Sequence, residues 1–156
     1  TPLTSTNVHI RGGYVLPLQG NAMTTSVART TPFDLVAALC PDGQAQGSLF
    51  WDDGEQIDLS SYVGVSYAAE VDGTNGEFVV TANVVGSNTV DNDYAKVPVG
   101  SITVMGKDLQ QPTNGVYLNG EKLDTSADVT YDADKGILTF TNLSVKVTDS
   151  FKLTWN

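Results

Sequence analysis

The densest group of reactive side chains lies at residues 49–55, Leu49-Phe50-Trp51-Asp52-Asp53-Gly54-Glu55, where an apolar run stops at three carboxylates around one glycine. Acids beside an aromatic could bind a sugar, hold a cation or do acid–base work, whereas Asp-Gly after a hydrophobic strand is a strong hairpin signal. A glycosidase pair needs two carboxyl groups facing one cleft about 5 to 9 Å apart, one of them protonated because burial raises its pKa. Adjacent Asp52 and Asp53 point to opposite faces of a strand and cannot be that pair. Asp52 and Glu55 could converge across the turn, but a turn tip is wet and a solvated carboxylate stays ionised. Read alone, the cluster favours a turn. Asp52, Asp53, Glu55 and Asp58 also form an acidic cluster, as do Asp132 and Asp134, yet neither shows the full alternating calcium loop with its terminal bidentate Glu.

Other chemistry is poorly supplied. The single histidine, His9, lies between Val8 and Ile10, and the single cysteine, Cys40, follows Ala38 and Leu39. One His and one Cys do not make a zinc ligand set, and no Gly-x-Ser-x-Gly turn offers a strained nucleophile. No catalytic residue, no metal site and no cofactor is expected, and Cys40 is expected to be a buried, inert thiol. Trp51 and Trp155 could stack on a sugar, but both follow apolar residues at strand period and look like core positions. Tyr62 and Tyr94, flanked by polar or loop residues, are better placed for exposure. Asn142-Leu143-Ser144 is an N-glycosylation acceptor, usable only on a secretory route.

The elements that must position these residues are strands. Residues 7–18 predict two short strands around Gly12-Gly13, with Pro17 marking an edge or an end. The polar stretch 19–31 predicts a linker or long crossing loop. Residues 33–39 and 48–51, joined through Pro41-Asp42-Gly43, predict a hairpin of two largely buried strands. Residues 62–72 and 77–85 predict a second hairpin, in which Phe78, Val80, Ala82 and Val84 alternate with polar or opposite-facing positions. Residues 86–96 are polar loop. Residues 97–105 resume strand character across a phase change at Gly100 that predicts a bulge or bend. The remainder reads as short strands with glycine turns, among them Asn119-Gly120, a favoured type I′ pair. No segment sustains a helical period, although residues 66–69 could hide a short turn. Regularly spaced strands without crossover helices predict an all-β fold, an antiparallel β-sandwich.

Composition narrows the function classes. The chain has 156 residues, 40% of them hydrophobic and 17% charged, enough for one main domain with a core that needs no disulfide or metal. Its 18 acids and 8 bases give a formal charge of −10, and no Lys or Arg occurs between Arg29 and Lys96. Nucleic acid is therefore not an expected partner, since phosphate contacts need clustered bases. No apolar run approaches the roughly 20 residues that cross a bilayer, so no membrane partner is expected either. The first residues lack a signal peptide's pattern and an initiating Met, which suggests a chain processed or cut from something longer.

Particular words in the sequence say more. His9-Ile10-Arg11-Gly12-Gly13-Tyr14-Val15-Leu16-Pro17-Leu18-Gln19, Thr25-Ser26-Val27-Ala28-Arg29, Pro32-Phe33-Asp34-Leu35-Val36-Ala37-Ala38-Leu39 and Gly43-Gln44-Ala45-Gln46-Gly47-Ser48, leading into residues 49–55, closely resemble the C-terminal part of glycoside hydrolase family 31 α-glucosidases. The closest resemblance is to the maltase-glucoamylase, sucrase-isomaltase and fungal α-glucosidase branch. Val116-Tyr117-Leu118-Asn119-Gly120 and Leu153-Thr154-Trp155 are similar to that family's ending. The resemblance implies that residues 1–20 are the last strands of a proximal β-domain and residues 21–156 a distal β-sandwich. It implies a parent that releases α-linked glucose from maltose and malto-oligosaccharides in the secretory-pathway lumen or outside the cell. The family's nucleophile and acid lie on a barrel whose motifs are absent, so Trp51, Asp52, Asp53, Gly54 and Glu55 match a structural marker turn. The partners implied are the catalytic barrel and proximal domain, with malto-oligosaccharide if the chain acts as a binding module. An apolar patch around Val8, Ile10, Tyr14 and Leu16 would favour self-association when isolated.

Overall fold

The computed structural model describes residues 2, 4–52, 54, 57, 61–72, 74–86, 96–123 and 128–156. The chain order is β1 (Tyr14–Gln19), α1 (Thr25–Ala28), β2 (Phe33–Ala38), β3 (Gln44–Trp51), β4 (Tyr62–Asp72), β5 (Asn75–Val85), β6 (Val99–Met105), β7 (Val116–Leu118), β8 (Glu121–Lys122), β9 (Val129–Asp132), β10 (Ile137–Thr141) and β11 (Phe151–Trp155). The strands hydrogen-bond in the order β8-β7-β11-β5-β4-β3-β1-β2-β6-β10-β9. This single ladder curls over so that its two arms face each other. Phe140 on β10 and Trp155 on β11, with six strands between them in the order, have ring centroids 5.1 Å apart. Between the arms, β2, β4, β5, β6, β10 and β11 supply one core that includes Leu35, Val63, Phe78, Ile102, Leu138 and Leu153. The all-β sandwich-like architecture is thus as read from the sequence. No helix among the described residues is long and apolar enough to cross a membrane.

The sheet is mixed, however, because two of its neighbouring pairs, β1 with β3 and β2 with β6, run parallel. No crossover helix is needed. The return from β2 to β6 is made by the β3-β4-β5 meander itself. The expected hairpin of residues 33–39 and 48–51 does not form. Its turn is present, with Cys40 N donating to Gln44 O at 2.8 Å and Gly43 N to Cys40 O at 2.9 Å. Beyond the turn the strands part around Gly13, whose N–H donates to Ala38 O at 2.7 Å and whose carbonyl accepts from Gln46 N at 3.0 Å. Gly13 sits at φ 91, a conformation costly for any side chain, and it wedges β1 between β2 and β3. β3 is accordingly buried on one face only.

Residues 7–13 form no strand; only β1 does, and it is internal. Pro17 is tolerated there because β3 pairs with β1 only at Tyr14↔Gln46, leaving the side of β1 opposite β2 open at Pro17. β1 lends Val15 to the common core. The stretch 19–31 holds the one-turn α1, where Thr24 caps by accepting from Val27 N at 3.3 Å. Residues 66–69 are ordinary strand within β4, so no helical turn hides there.

The second hairpin forms as expected, with β4 and β5 antiparallel over eleven residue pairs. Gly100 is skipped where Phe33 pairs with Val99 and Asp34 with Ser101, which is the bulge its phase change implied. Asn119 and Gly120 have φ 51 and 87, the two positive values a type I′ turn between β7 and β8 requires.

Candidate functional site: the turn after β3

The alternation of β3 decides what each marker residue faces. Ala45 is buried, Leu49 and Trp51 turn inward against the core, and Phe50 turns outward at 54% exposure. Trp51 packs edge-on to Phe33, with centroids 5.0 Å apart and planes at 82°. Its other partner is Arg29, whose guanidinium carbon lies 5.1 Å from the indole centroid, a cation–π contact.

Arg29 reaches this position through a short relay. The side chain of Gln19, the last residue of β1, donates to Ala28 O at 2.8 Å and Thr31 O at 3.1 Å, fixing the turn of α1. Arg29 caps that turn, with its N–H donating to Thr25 O at 3.0 Å. From there Nη1 donates to the Asp52 backbone carbonyl, and Nη2 lies 3.8 Å from Asp52 Oδ1. The same Oδ1 accepts from Gly54 N at 2.9 Å, an Asx turn. Gly54 has φ 70, and a Cβ there would overlap the Arg29 guanidinium. The glycine is required twice, by backbone and by space.

The carboxylate of Asp52 is therefore committed to a backbone N–H and a guanidinium, which orders a turn. Asp53, Glu55 and Asp58 lie outside the described residues, as does Tyr94. Among the described residues no three His, Cys, Asp or Glu side chains gather closely enough to hold a metal. In the second acidic cluster Asp132 is taken by Lys135, with Nζ 2.7 Å from Oδ2 and N 3.1 Å from Oδ1. The hydrogen bond lowers the Asp132 pKa and raises that of Lys135.

The remaining candidates fall apart in space. His9 is exposed, on the segment that leads into β1. Cys40 is half-buried, contrary to the expected buried thiol, because it caps the turn from β2 to β3 beside an open depression of about 630 Å³. Trp155 is 2% exposed, in the core as its spacing implied, and its Nε1 has no hydrogen-bond partner among the described residues. Asn142 is exposed at φ 55 between β10 and β11, and its Nδ2 donates to Asp128 Oδ1 at 2.8 Å. Arg29 is the residue sequence reasoning missed as a contributor. It is the last base before a long stretch without any, in which the sequence sets three carboxylates at residues 52–55, and that imbalance was the available signal. The exposed aromatic of β3 is Phe50, which stacks on Tyr62 at 5.0 Å and 29°, and strand period two alone separates it from Leu49 and Trp51.

No protein-family model matches the chain. An α-glucosidase of Schizosaccharomyces pombe is 34% identical over 99% of this chain, which spans 14% of that protein. The lysosomal α-glucosidase of Mus musculus is 32% identical over 99% of the chain, which spans 15% of it. The crystal structure of an ER glucosidase II heterodimeric complex superposes with a TM-score of 0.70 at 21% identity, covering 94% of this chain and 17% of that one, a likeness of fold. Fold and relatives together define the class, a β-sandwich unit of the α-glucosidases. Within it, the chain is a homologue of the small C-terminal part of the family 31 enzymes.

Proposed function

We propose that this chain is the non-catalytic C-terminal β-sandwich of an α-glucosidase that removes terminal α-linked glucose from maltose and malto-oligosaccharides. Its role is to pack on the catalytic barrel and stabilise it. One observation carries the reading: the S. pombe relative aligns with 99% of this chain, yet the chain spans only 14% of that relative. The state of the marker turn agrees with it. Asp52 is spent on Arg29 and Gly54 N, so this carboxylate is not poised as a proton donor for glycosidic chemistry. Hydrolysis would fall to aspartates on the barrel, by the retaining double displacement that the family resemblance implies.

The same reading places the parent in the secretory-pathway lumen or outside the cell, with Asn142 as a glycan acceptor whose side chain would exchange Asp128 for solvent. It treats residues 1–20 as the last strands of a proximal domain and residues 21–156 as the distal β-sandwich, with β1 also pairing to β2 and β3. Two measurements test it. The isolated chain should release no glucose from maltose or a chromogenic α-glucoside; turnover would overturn the non-catalytic assignment. The full-length enzyme truncated before this part should lose thermal stability, and an unchanged Tm would overturn the stabilising role.

The half-exposed Phe50–Tyr62 stack supports a second reading, a carbohydrate-binding module, because a sugar's apolar face could lie on it. Trp155 is buried and Trp51 is sandwiched between Phe33 and Arg29, so tryptophan fluorescence is a poor reporter. Calorimetric titration with maltotriose is the better test, and no heat at millimolar sugar removes this reading.

A further inference from the structure

The two outer faces of the sandwich differ in charge. Register places Tyr14, Leu16 and Leu18 of β1 on the outside, level with Val36 of β2, Met105 of β6 and Ile137 of β10. Val15, Leu35, Ile102 and Leu138, on the opposite side of the same strands, are buried. The four strands carry one charged side chain, Asp34, whose Oδ1 accepts from Ser101 Oγ at 2.7 Å. Between the apolar positions stand threonines, with Thr103 Oγ1 and Thr139 Oγ1 3.4 Å apart. On the other arm the outer face carries Glu70, Glu77, Lys122 and Lys152, the last paired with Glu77. In a chain of formal charge −10, a broad face with one carboxylate is the exception. Tyr14 and Leu18 remain 46% and 45% exposed on it.

We propose that the outer face of β1, β2, β6 and β10, centred on Tyr14, Leu16, Leu18 and Val36, is the surface that the preceding part of an α-glucosidase covers with an uncharged surface of its own. This rests on the reading of the chain as the C-terminal part of such an enzyme. The chain spans 14% of the S. pombe relative, so most of an enzyme of that kind would be joined ahead of β1. Residues 4–13 contain no helix or strand and lead directly into β1, with Val8 84% exposed. A tether of ten residues reaches at most about 35 Å, which confines the preceding structure to the neighbourhood of this sandwich, and the face whose outward residues are apolar is the one it gains most by covering. The occupant must be largely uncharged there, since among the described residues the four strands offer only Asp34, and the one guanidinium shown against the face, Arg11, already lies over the Tyr14 ring at its margin, 5.6 Å from the centroid.

Hydroxyl-radical footprinting of the full-length enzyme tests this without any substitution. Met23, 97% exposed on the loop after β1, gives the reference rate. Oxidation of Tyr14, Leu18 and Met105 should fall at least fivefold below the rate their exposure in this structure gives, while Tyr117 and Val79 on the charged face react at theirs. Full reactivity of Tyr14 and Leu18 would overturn the proposal, as would protection of the Glu70 and Lys152 face instead. Protection of the uncharged face that disappears on dilution would assign it to a second copy and also overturn it. Truncation and Tm read the stabilising role separately, so that role can fail while the footprint still reports which face is covered.

Discussion

Arg29, Trp51, Asp52 and Gly54 form a unit in which each contact depends on the others. A cation–π contact contributes about 0.5 to 1 kcal/mol at a partly exposed site, and a hydrogen bond from a charged donor about 1.5 to 3 kcal/mol. R29A should therefore lower stability by about 2 kcal/mol in urea unfolding, with R29K intermediate because an ammonium lacks the fork that spans ring and carbonyl. G54A should cost about 1 to 2 kcal/mol, from its φ of 70 together with its overlap of the guanidinium. Combined with R29A, its cost should shrink, since the overlap is gone; additive costs in the double-mutant cycle would refute the shared clamp. Tyr67 offers a pH signature. Burial pushes its phenol well above the ordinary value of about 10, so the folded chain keeps a proton that the unfolded chain loses above that pH. Stability should fall as pH rises past 10, and Y67F should flatten that decline in a Tm-against-pH series.

Among the elements, the pairing of β11 with β5 is held to one register by a close fit. Trp155 lies opposite Gly76, and a Cβ at Gly76 would overlap the indole ring. Displacing a buried Trp from a close-packed site costs about 1 to 3 kcal/mol as overpacking. G76A should lose that much, with red-shifted tryptophan emission as the indole leaves Phe140; unchanged emission with unchanged stability would mean that the strands adjust freely. Strands whose face is set by alternation, such as β4 and β5, were legible because period two and a glycine turn together fix a local hairpin. The pairing of β2 with β3 was misread for a physical reason. The local turn at residues 40–43 is real, but which strand lies alongside is decided by Gly13 and β1, about thirty residues earlier in the chain. Sequence signals of turns carry no information about insertion of a third strand.

For the whole molecule, a formal charge of −10 with exposed ion pairs such as Lys152 with Glu77 makes self-repulsion the dominant long-range electrostatic term. Raising salt from low to about 0.5 M should shorten the Debye length to a few ångströms and raise Tm by a few degrees. A fall would show that attractive pairs dominate instead. The sequence by itself determined the strand-rich class, the long hairpin, the bulge at Gly100, the type I′ turn and the likeness to α-glucosidases. Each of these depends on residue type and short-range order, which the chain carries locally. Only the tertiary structure decided that β1 enters the sheet between β2 and β3, that Arg29 locks the turn after β3, and that one outer face is almost free of charge. Those features depend on which distant segments become neighbours, and that is settled when the whole ladder curls around a single core.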